Sequence, residues 1–178
     1  MRVLYHLWLS PFCRKVRIAL LEKGVEAELK TENLWDRRPE FLALNPAGDV
    51  PVLIEEGGQA ICDSAAICEY LDEIAPDPSL FPGTPAERAE VRRLVAWFDR
   101  KFNAEVSENL VGEKIMKRFL KRGAPDASAI RAGKKNLQYH LQYIAWLCER
   151  RNWLAGNDMS LADIAAAAHI SCLDYLGD

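Results

Sequence analysis

Ten residues near the middle of the chain, 76–85, constrain its fold more than any other feature. They contain four prolines and one glycine. Proline fixes φ and lacks a backbone N–H, so a segment with this spacing forms neither a regular helix nor a strand. The chain has 178 residues, enough for two small domains. We therefore interpret residues 76–85 as a linker between a domain of residues 1–75 and a second domain of residues 86–178.

The residues before the linker alternate between strand and helix patterns. β-Branched and aromatic residues predict a strand over 3–8, and Ser10-Pro11 predicts the start of a helix that ends at Gly24. A second strand over 26–31 completes a βαβ unit, which favours a parallel strand pair. A short helix, two strands joined at a Gly-Gly turn and a last helix follow, over residues 39–44, 50–56, 59–63 and 64–74. The predicted order is β-α-β-α-β-β-α around a mixed sheet, an α/β domain.

Only helical patterns follow the linker. Apolar residues at helical spacing predict one helix over residues 86–120 and another around residues 137–147. A third helix begins at Ser160, where Asp163 supplies the acidic partner of a capping box. The second domain is therefore predicted to be all-α.

Composition excludes several classes of function. The net charge is −3, and residues 1–76 hold 13 acidic against 8 basic side chains, so we expect no nucleic-acid partner. No apolar run reaches the roughly 18 residues that span a bilayer, and the N-terminus does not resemble a signal peptide, so we expect no membrane partner. Five cysteines at irregular spacing indicate a reducing compartment, which predicts a cytoplasmic protein. The three histidines are scattered and predict no metal site.

Ser10 is the first candidate for chemistry. It lies at the predicted N-terminus of the first helix, where unpaired backbone N–H groups and the helix dipole favour an anion. Ser10 could donate a hydrogen bond to a bound thiolate and lower the pKa of that thiol, or it could simply cap the helix. Cys13, one turn later, fits either a buried structural cysteine or a reactive thiol. Both pairs of interpretations stay open at this level.

Two further pairs of residues, Val50-Pro51 and Asp63-Ser64, each allow a structural and a functional interpretation. Pro51 removes a donor from a predicted strand, so it belongs at an edge or follows a cis bond that turns the Val50 backbone towards a ligand. Asp63 and Ser64 precede a helix and can cap it. Alternatively, helix N–H groups with Ser64 bind a carboxylate while Asp63 binds an ammonium group. The second interpretation suits the amino-acid end of a ligand.

Taken together, these motifs resemble the cytosolic glutathione-transferase family, in the serine-type form found in plants and bacteria. The matching segments are residues 10–12, 14–20, 45–53, 63–67 and 160–164. The resemblance extends over essentially the whole chain. It implies a glutathione-transferase fold, in which a thioredoxin-like domain that binds glutathione precedes an all-helical domain.

The resemblance also implies roles for individual residues. Ser10 would act on the glutathione sulfur as the catalytic residue. Pro51 would be cis, and the Val50 backbone would pair with the cysteinyl unit of glutathione. Asp63 and Ser64 would hold the γ-glutamyl end. Arg37 corresponds to a basic residue that, in some serine-type members, binds the glycine carboxylate.

Three features depart from the family pattern. Asp49 stands where glutamine is usual, which places a negative charge near the glycine carboxylate. Asp63 is shorter than the glutamate often found before the serine. The chain ends at Asp178, whereas family members commonly continue with further helices, so we expect the second domain to be incomplete at its C-terminus.

The resemblance favours an enzyme, a glutathione transferase that activates glutathione, its co-substrate, for attack on a small hydrophobic electrophile. We expect no metal cofactor. The electrophile is expected to contact Phe98, Phe102, Asn103 or Val106, and the opposite charges of the two domains favour a homodimer.

Two other hypotheses remain. The opening residues 5–17 also resemble alphaproteobacterial members of the fold that act as adaptors and bind the tubulin-like cell-division protein FtsZ. Asp49 favours this non-catalytic alternative. A third hypothesis makes Cys13 a glutaredoxin-like thiol, but Ser10 occupies the position of the attacking sulfur.

Overall fold

The computed structural model describes residues 1–120 and 122–178, which form two compact units, Met1–Leu80 and Phe81–Asp178. The boundary between the two units falls inside the stretch 76–85. The finer partition into residues 1–75, a linker and residues 86–178 stays a prediction.

The first unit has the predicted order of elements. Its strands and helices are β1 (Arg2–His6), α1 (Pro11–Glu22), β2 (Ala27–Thr31), α2 (Pro39–Leu44), β3 (Val52–Ile54), β4 (Ala60–Cys62) and α3 (Ser64–Ile74). A 3-10 turn, Leu34–Asp36, connects β2 to α2. The order β-α-β-α-β-β-α is confirmed.

The sheet of the first unit is mixed, with the strand order β2-β1-β3-β4. Strand β1 pairs with β2 in parallel, as the βαβ pattern predicts, and β3 is antiparallel to both β1 and β4. In the register, Tyr5 lies opposite Val52, and Val52 lies opposite Cys62. The end of β1, the start of β3 and the end of β4 therefore share one end of the sheet.

A buried ion pair fixes the last residues of the first unit. The Lys23 side chain is fully buried, and its Nζ lies 2.5 Å from Oδ1 of Asp72. The same oxygen accepts a hydrogen bond from the Leu80 N–H at 2.7 Å, and Lys23 also donates to the Pro78 carbonyl. A buried charge is tolerated only when it is paired. This pair holds part of the proline-rich stretch against α1 and α3.

The second unit is helical. It comprises α4 (Pro85–Ala96), a π-helical segment (Trp97–Met116), α5 (Lys117–Phe119), α6 (Ala127–Cys148) and α7 (Leu161–Tyr175). The first three form the single long helix predicted over residues 86–120. Apart from an isolated bridge between Trp153 and Gly156, the described residues of this unit form no strand pairing, which confirms the all-α prediction. In the part of the chain that the structure describes, no helix combines the length and apolarity needed to cross a membrane.

The core of the second unit corrects one expectation. Phe98, Phe102 and Val106 are completely buried. The Phe102 ring contacts the rings of His140 and His169, with centroids 4.9 and 5.5 Å away. These three apolar side chains fill the helical core, so the expectation that they contact an electrophile is wrong. Their helical spacing indicated burial rather than binding.

Candidate functional site

Four connecting segments of the first unit meet at one end of its sheet. The register places the loop after β1, which contains Ser10, beside the segment that leads into β3, which contains Val50. It also places Asp63, directly after β4, at that end. Cys13, Val50 and Cys62 pack in one apolar cluster, which joins the three segments. The fourth segment follows β2 and carries Arg37.

Ser10 is the N-cap of α1. Its backbone is extended, and its Oγ accepts a hydrogen bond from the Cys13 N–H at 3.3 Å. A serine hydroxyl that accepts a hydrogen bond still carries its own proton for donation. The side chain is only partly buried, and the adjacent residue Pro11 occupies the first helical position. Ser10 can therefore cap α1 and donate its one proton to a further acceptor, either the neighbouring Cys13 sulfur or a bound anion.

Cys13 faces the interior. Its side chain is completely buried, and its Sγ accepts a hydrogen bond from the Leu7 N–H at 3.4 Å. Burial raises the pKa of the Cys13 thiol, although hydrogen bonds with Ser10 and Leu7 oppose that rise. A protonated and inaccessible thiol is a poor nucleophile. These observations favour the structural interpretation of Cys13.

Val50 and Pro51 lie directly before β3. The peptide bond between them is cis, as the sequence predicts. Strand pairing begins only at Val52, so the backbone N–H and C=O of Val50 lie outside the strand ladder. Both side chains are buried, which leaves the backbone as the part of Val50 that can contact a ligand.

Asp63 caps α3 from an unusual backbone conformation. Its φ is 73°, a region that residues other than glycine rarely adopt and that costs on the order of 1–3 kcal/mol. One carboxylate oxygen, Oδ1, accepts hydrogen bonds from the N–H groups of Ala65 and Ala66 at 2.7 and 3.2 Å. The side chain is exposed, so the second oxygen can bind a cation. Ser64 is 5% exposed and is the less accessible of the pair.

Arg37 lies in the left-handed region, with φ at 43°, directly after the 3-10 turn. It is exposed, and its Nη1 lies 4.0 Å from the position that a Cβ would occupy at Gly48. Arg37 therefore reaches the loop that leads to Val50. The structure brings this cation to the site although 13 residues of sequence separate it from Val50.

Two residues of the site, Asn45 and Gly48, lie in the matching segment 45–53 but received no individual role from the sequence. Asn45 ends α2, is 4% exposed and donates from Nδ2 to Asp49. Gly48 has φ at 69°, which a turn between Asn45 and Asp49 requires. An asparagine before a proline, followed by a glycine, is a turn signal that could have identified this loop. Among the described residues, no group of three or more His, Cys, Asp and Glu side chains could hold a metal ion.

The family model for the N-terminal domain of glutathione S-transferases matches residues 4–79. FtsZ-localized protein A of Caulobacter vibrioides is 49% identical over 180 residues, which cover 99% of this chain and 79% of that protein. A glutathione S-transferase from Rhodospirillum rubrum F11 is 58% identical with a TM-score of 0.97, over all of this chain and 80% of that one. FzlA from C. crescentus is 49% identical with a TM-score of 0.95, over 99% and 80% of the two chains. These likenesses confirm the predicted fold.

Proposed function

Because the chain belongs to the glutathione S-transferase family, we propose that it binds glutathione and transfers it, as a thiolate, to a small electrophile. The observation that supports this proposal most is the convergence of the segments carrying Ser10, Val50 and Asp63 at one end of the sheet. A tripeptide thiol needs three such contacts: a donor for its sulfur, backbone groups for its cysteinyl unit and a carboxylate for its ammonium group.

Ser10 would act on the sulfur. Its hydroxyl would donate to the thiolate at the N-terminus of α1, where the helix dipole also stabilises negative charge. Lowering the pKa of the thiol by about 2 units corresponds to about 2.7 kcal/mol in favour of the nucleophile. The glutathione thiol would lose its proton to solvent, and the sulfur electron pair would then form the bond to the electrophilic carbon while the leaving group of the electrophile departs with the electron pair of the broken bond. Because the thiolate is the nucleophile, this stabilisation increases its population at neutral pH.

The other residues would hold the rest of the tripeptide. The backbone N–H and C=O of Val50, before cis-Pro51, would pair with the cysteinyl unit. The free oxygen of Asp63 would bind the α-ammonium group, and the first turn of α3 at Ser64 would bind the α-carboxylate. Arg37 would bind the glycine carboxylate.

Calorimetric titration with glutathione tests the proposal. We expect saturable binding, and we expect Arg37→Ala to weaken it without changing the melting temperature, because Arg37 is exposed. Arg88→Ala is the control, since it removes an exposed arginine from α4 in the second unit. Absence of saturable binding to the wild type would overturn the proposal.

A non-catalytic adaptor that binds FtsZ is the second candidate function. The 49% identity to FtsZ-localized protein A supports it, because that protein's name associates it with FtsZ. Sedimentation of FtsZ polymers with this protein tests the candidate. Co-sedimentation that persists without glutathione binding favours the adaptor, whereas glutathione binding without co-sedimentation favours the transferase.

We also propose that the protein is a cytoplasmic homodimer. The free cysteines agree with a reducing compartment. The acidic first part of the chain and the slightly basic second part favour an isologous pairing of unlike surfaces. Sedimentation at micromolar concentration that shows only a monomer would contradict the dimer.

A further inference from the structure

The loop between α2 and β3 is closed by the side chains at its two ends. Asn45 donates from Nδ2 to the Asp49 carbonyl at 3.0 Å and to Oδ1 of Asp49 at 2.6 Å. The Asn45 Oδ1 accepts from the Ala47 N–H at 3.2 Å, and the Gly48 N–H donates to the Asn45 carbonyl at 2.9 Å. Asn45 is buried and Asp49 is exposed, so one buried amide fixes the whole loop.

We propose that Asp49 is a positioning residue: its carboxylate, held by Asn45, fixes the loop so that the next residue, Val50, presents its backbone to glutathione. The inference rests on the proposed function, in which Val50 pairs with the cysteinyl unit. Asp49 and Val50 share a peptide unit. Any movement of Asp49 therefore moves the Val50 N–H, and a hydrogen bond to the Val50 backbone tolerates only a few tenths of an ångström.

The carboxylate of Asp49 has a structural partner that the sequence did not reveal. Glutamine at this position would extend one methylene further, whereas aspartate reaches Asn45 directly and accepts a short hydrogen bond from its side-chain amide. The Arg37 guanidinium lies beside the same loop, with Nη1 4.0 Å from the position that a Cβ would occupy at Gly48. Because an uncharged oxygen could accept the same hydrogen bond from Asn45, the positioning role of Asp49 requires its acceptor and not its charge.

A pair of matched variants separates the acceptor from the charge. Asp49→Asn keeps an oxygen acceptor and removes the charge, whereas Asp49→Ala removes both. We expect Asp49→Asn to change the Kd for glutathione less than about 2-fold and Asp49→Ala to raise it about 10-fold, the effect of losing one hydrogen bond. The kcat with saturating glutathione should change less than about 3-fold, because Asp49 does not touch the sulfur. The double variant Asn45→Ala with Asp49→Ala should raise the Kd for glutathione no more than the stronger of the two single variants does. Both substitutions remove the same hydrogen bond between the two side chains.

Hydrogen exchange of the Gly48 amide, which donates to the Asn45 carbonyl within the loop, supplies a readout that does not depend on glutathione. We expect faster exchange in Asp49→Ala than in the wild type, and unchanged exchange in Asp49→Asn. If the wild type does not bind glutathione, the proposed function fails, and the exchange rates still test the positioning role. Tighter glutathione binding by Asp49→Asn would show that the charge acts against the ligand and would overturn the inference. Unchanged exchange in Asp49→Ala would overturn it as well.

Discussion

Ser10 and Ser160 perform the same local task in the two units but differ in what else they can do. Each is the N-cap of a helix and accepts a hydrogen bond from a backbone N–H of the first turn at 3.3 Å. Ser160 is completely buried, and its Oγ donates to Oδ2 of Asp163 at 3.0 Å. The same carboxylate oxygen accepts from the Ser160 N–H at 2.9 Å. The Ser160 hydroxyl proton therefore already has an acceptor within the protein.

Among the residues that the structure describes, no acidic side chain pairs with Ser10 in this way. The first turn of α1 contains no acidic residue, and the side chain of Ser10 is partly exposed. Thr84, the N-cap of α4, resembles Ser160 because Glu87 closes a capping box with it. Asp63 resembles Ser10, because one of its oxygens caps α3 and the other is exposed. We call an N-cap closed when an acidic side chain of the first turn completes a capping box with it, as at Ser160 and Thr84. We call it open when a donor or acceptor of its side chain stays accessible after it has capped the helix, as at Ser10 and Asp63. Only an open cap is a candidate for ligand binding.

Replacement of Ser10 should have the largest effect on function. We expect Ser10→Ala to reduce the rate with a generic electrophile about 10²-fold at neutral pH, because one donor to a developing or bound anion contributes about 2.7 kcal/mol. The Kd for glutathione should change little, since one hydroxyl contributes little to the binding of a tripeptide. A pH–rate profile of the wild type should show an apparent pKa below that of free glutathione, and Ser10→Ala should raise it.

The control for this prediction is Cys13→Ala, which leaves the hydroxyl in place and should change the rate far less. If the wild-type profile has an apparent pKa no lower than that of free glutathione, Ser10 is only a cap. The adaptor would then be the better hypothesis.

Replacement of Ser160 should have the largest effect on stability. Ser160→Ala removes a buried donor and an acceptor, so we expect a loss of about 2 kcal/mol in the free energy of unfolding. For a chain of this size the melting temperature should fall by about 5 °C. Ser10→Ala is the matched control and should cost less than about 1 kcal/mol, because its cap is partly exposed. Equal losses of unfolding free energy in Ser160→Ala and Ser10→Ala would contradict the distinction between open and closed caps.

The sequence predicted the elements well because their signals are local. Ser10-Pro11 and Ser160 with Asp163 marked two helix starts that the structure confirms. The sequence did not predict burial correctly for side chains whose contact partners are distant in sequence. The apolar residues that predicted the helix around residues 137–147 include Leu141, which is 44% exposed, whereas the neighbouring His140 is buried. His140 accepts from Trp97 Nε1 at 3.1 Å and lies 2.9 Å from Glu105, contacts that span more than 30 residues of sequence.

The site was predictable in part for the same reason. Its individual caps and its proline were visible as local motifs, and the family resemblance assigned them roles. The contact between Asn45 and Asp49 depends on how the loop closes, which composition and spacing do not specify. From the sequence alone, Asp49 was therefore interpreted only as a negative charge near the expected position of the glycine carboxylate. The π-helical bonding of Trp97–Met116 was also invisible, because its side chains follow a helical period that resembles that of an α-helix.

Asp63 tests whether an open cap can serve two functions. Asp63→Asn keeps the cap oxygen but loses the charge that would bind an ammonium group, so we expect about 10-fold weaker glutathione binding with little change in melting temperature. Asp63→Ala should weaken binding similarly and also reduce stability by about 1 kcal/mol through the lost cap. Calorimetry and thermal unfolding measure the two effects separately. Unchanged glutathione binding in Asp63→Asn would show that the second oxygen is not used.

The smallest expected effect concerns the closed cap at Thr84. The Thr84 N–H donates to Oε2 of Glu87 at 2.6 Å, and this bond lowers the pKa of Glu87 below its ordinary value of 4.5. The unfolded chain therefore binds the proton more readily than the folded protein does, so this contribution to stability is present above about pH 4.5 and is lost as the pH falls through the folded pKa. Glu87→Gln keeps an oxygen acceptor but does not titrate. We expect the urea midpoint to fall slightly less in this variant than in the wild type between about pH 6 and about pH 3.

Other carboxylates with lowered pKa, such as Glu90, remain in both proteins, so only the difference between the two curves reports on Glu87. Identical curves would mean that the Thr84 cap, although closed in geometry, contributes no charge-dependent stability.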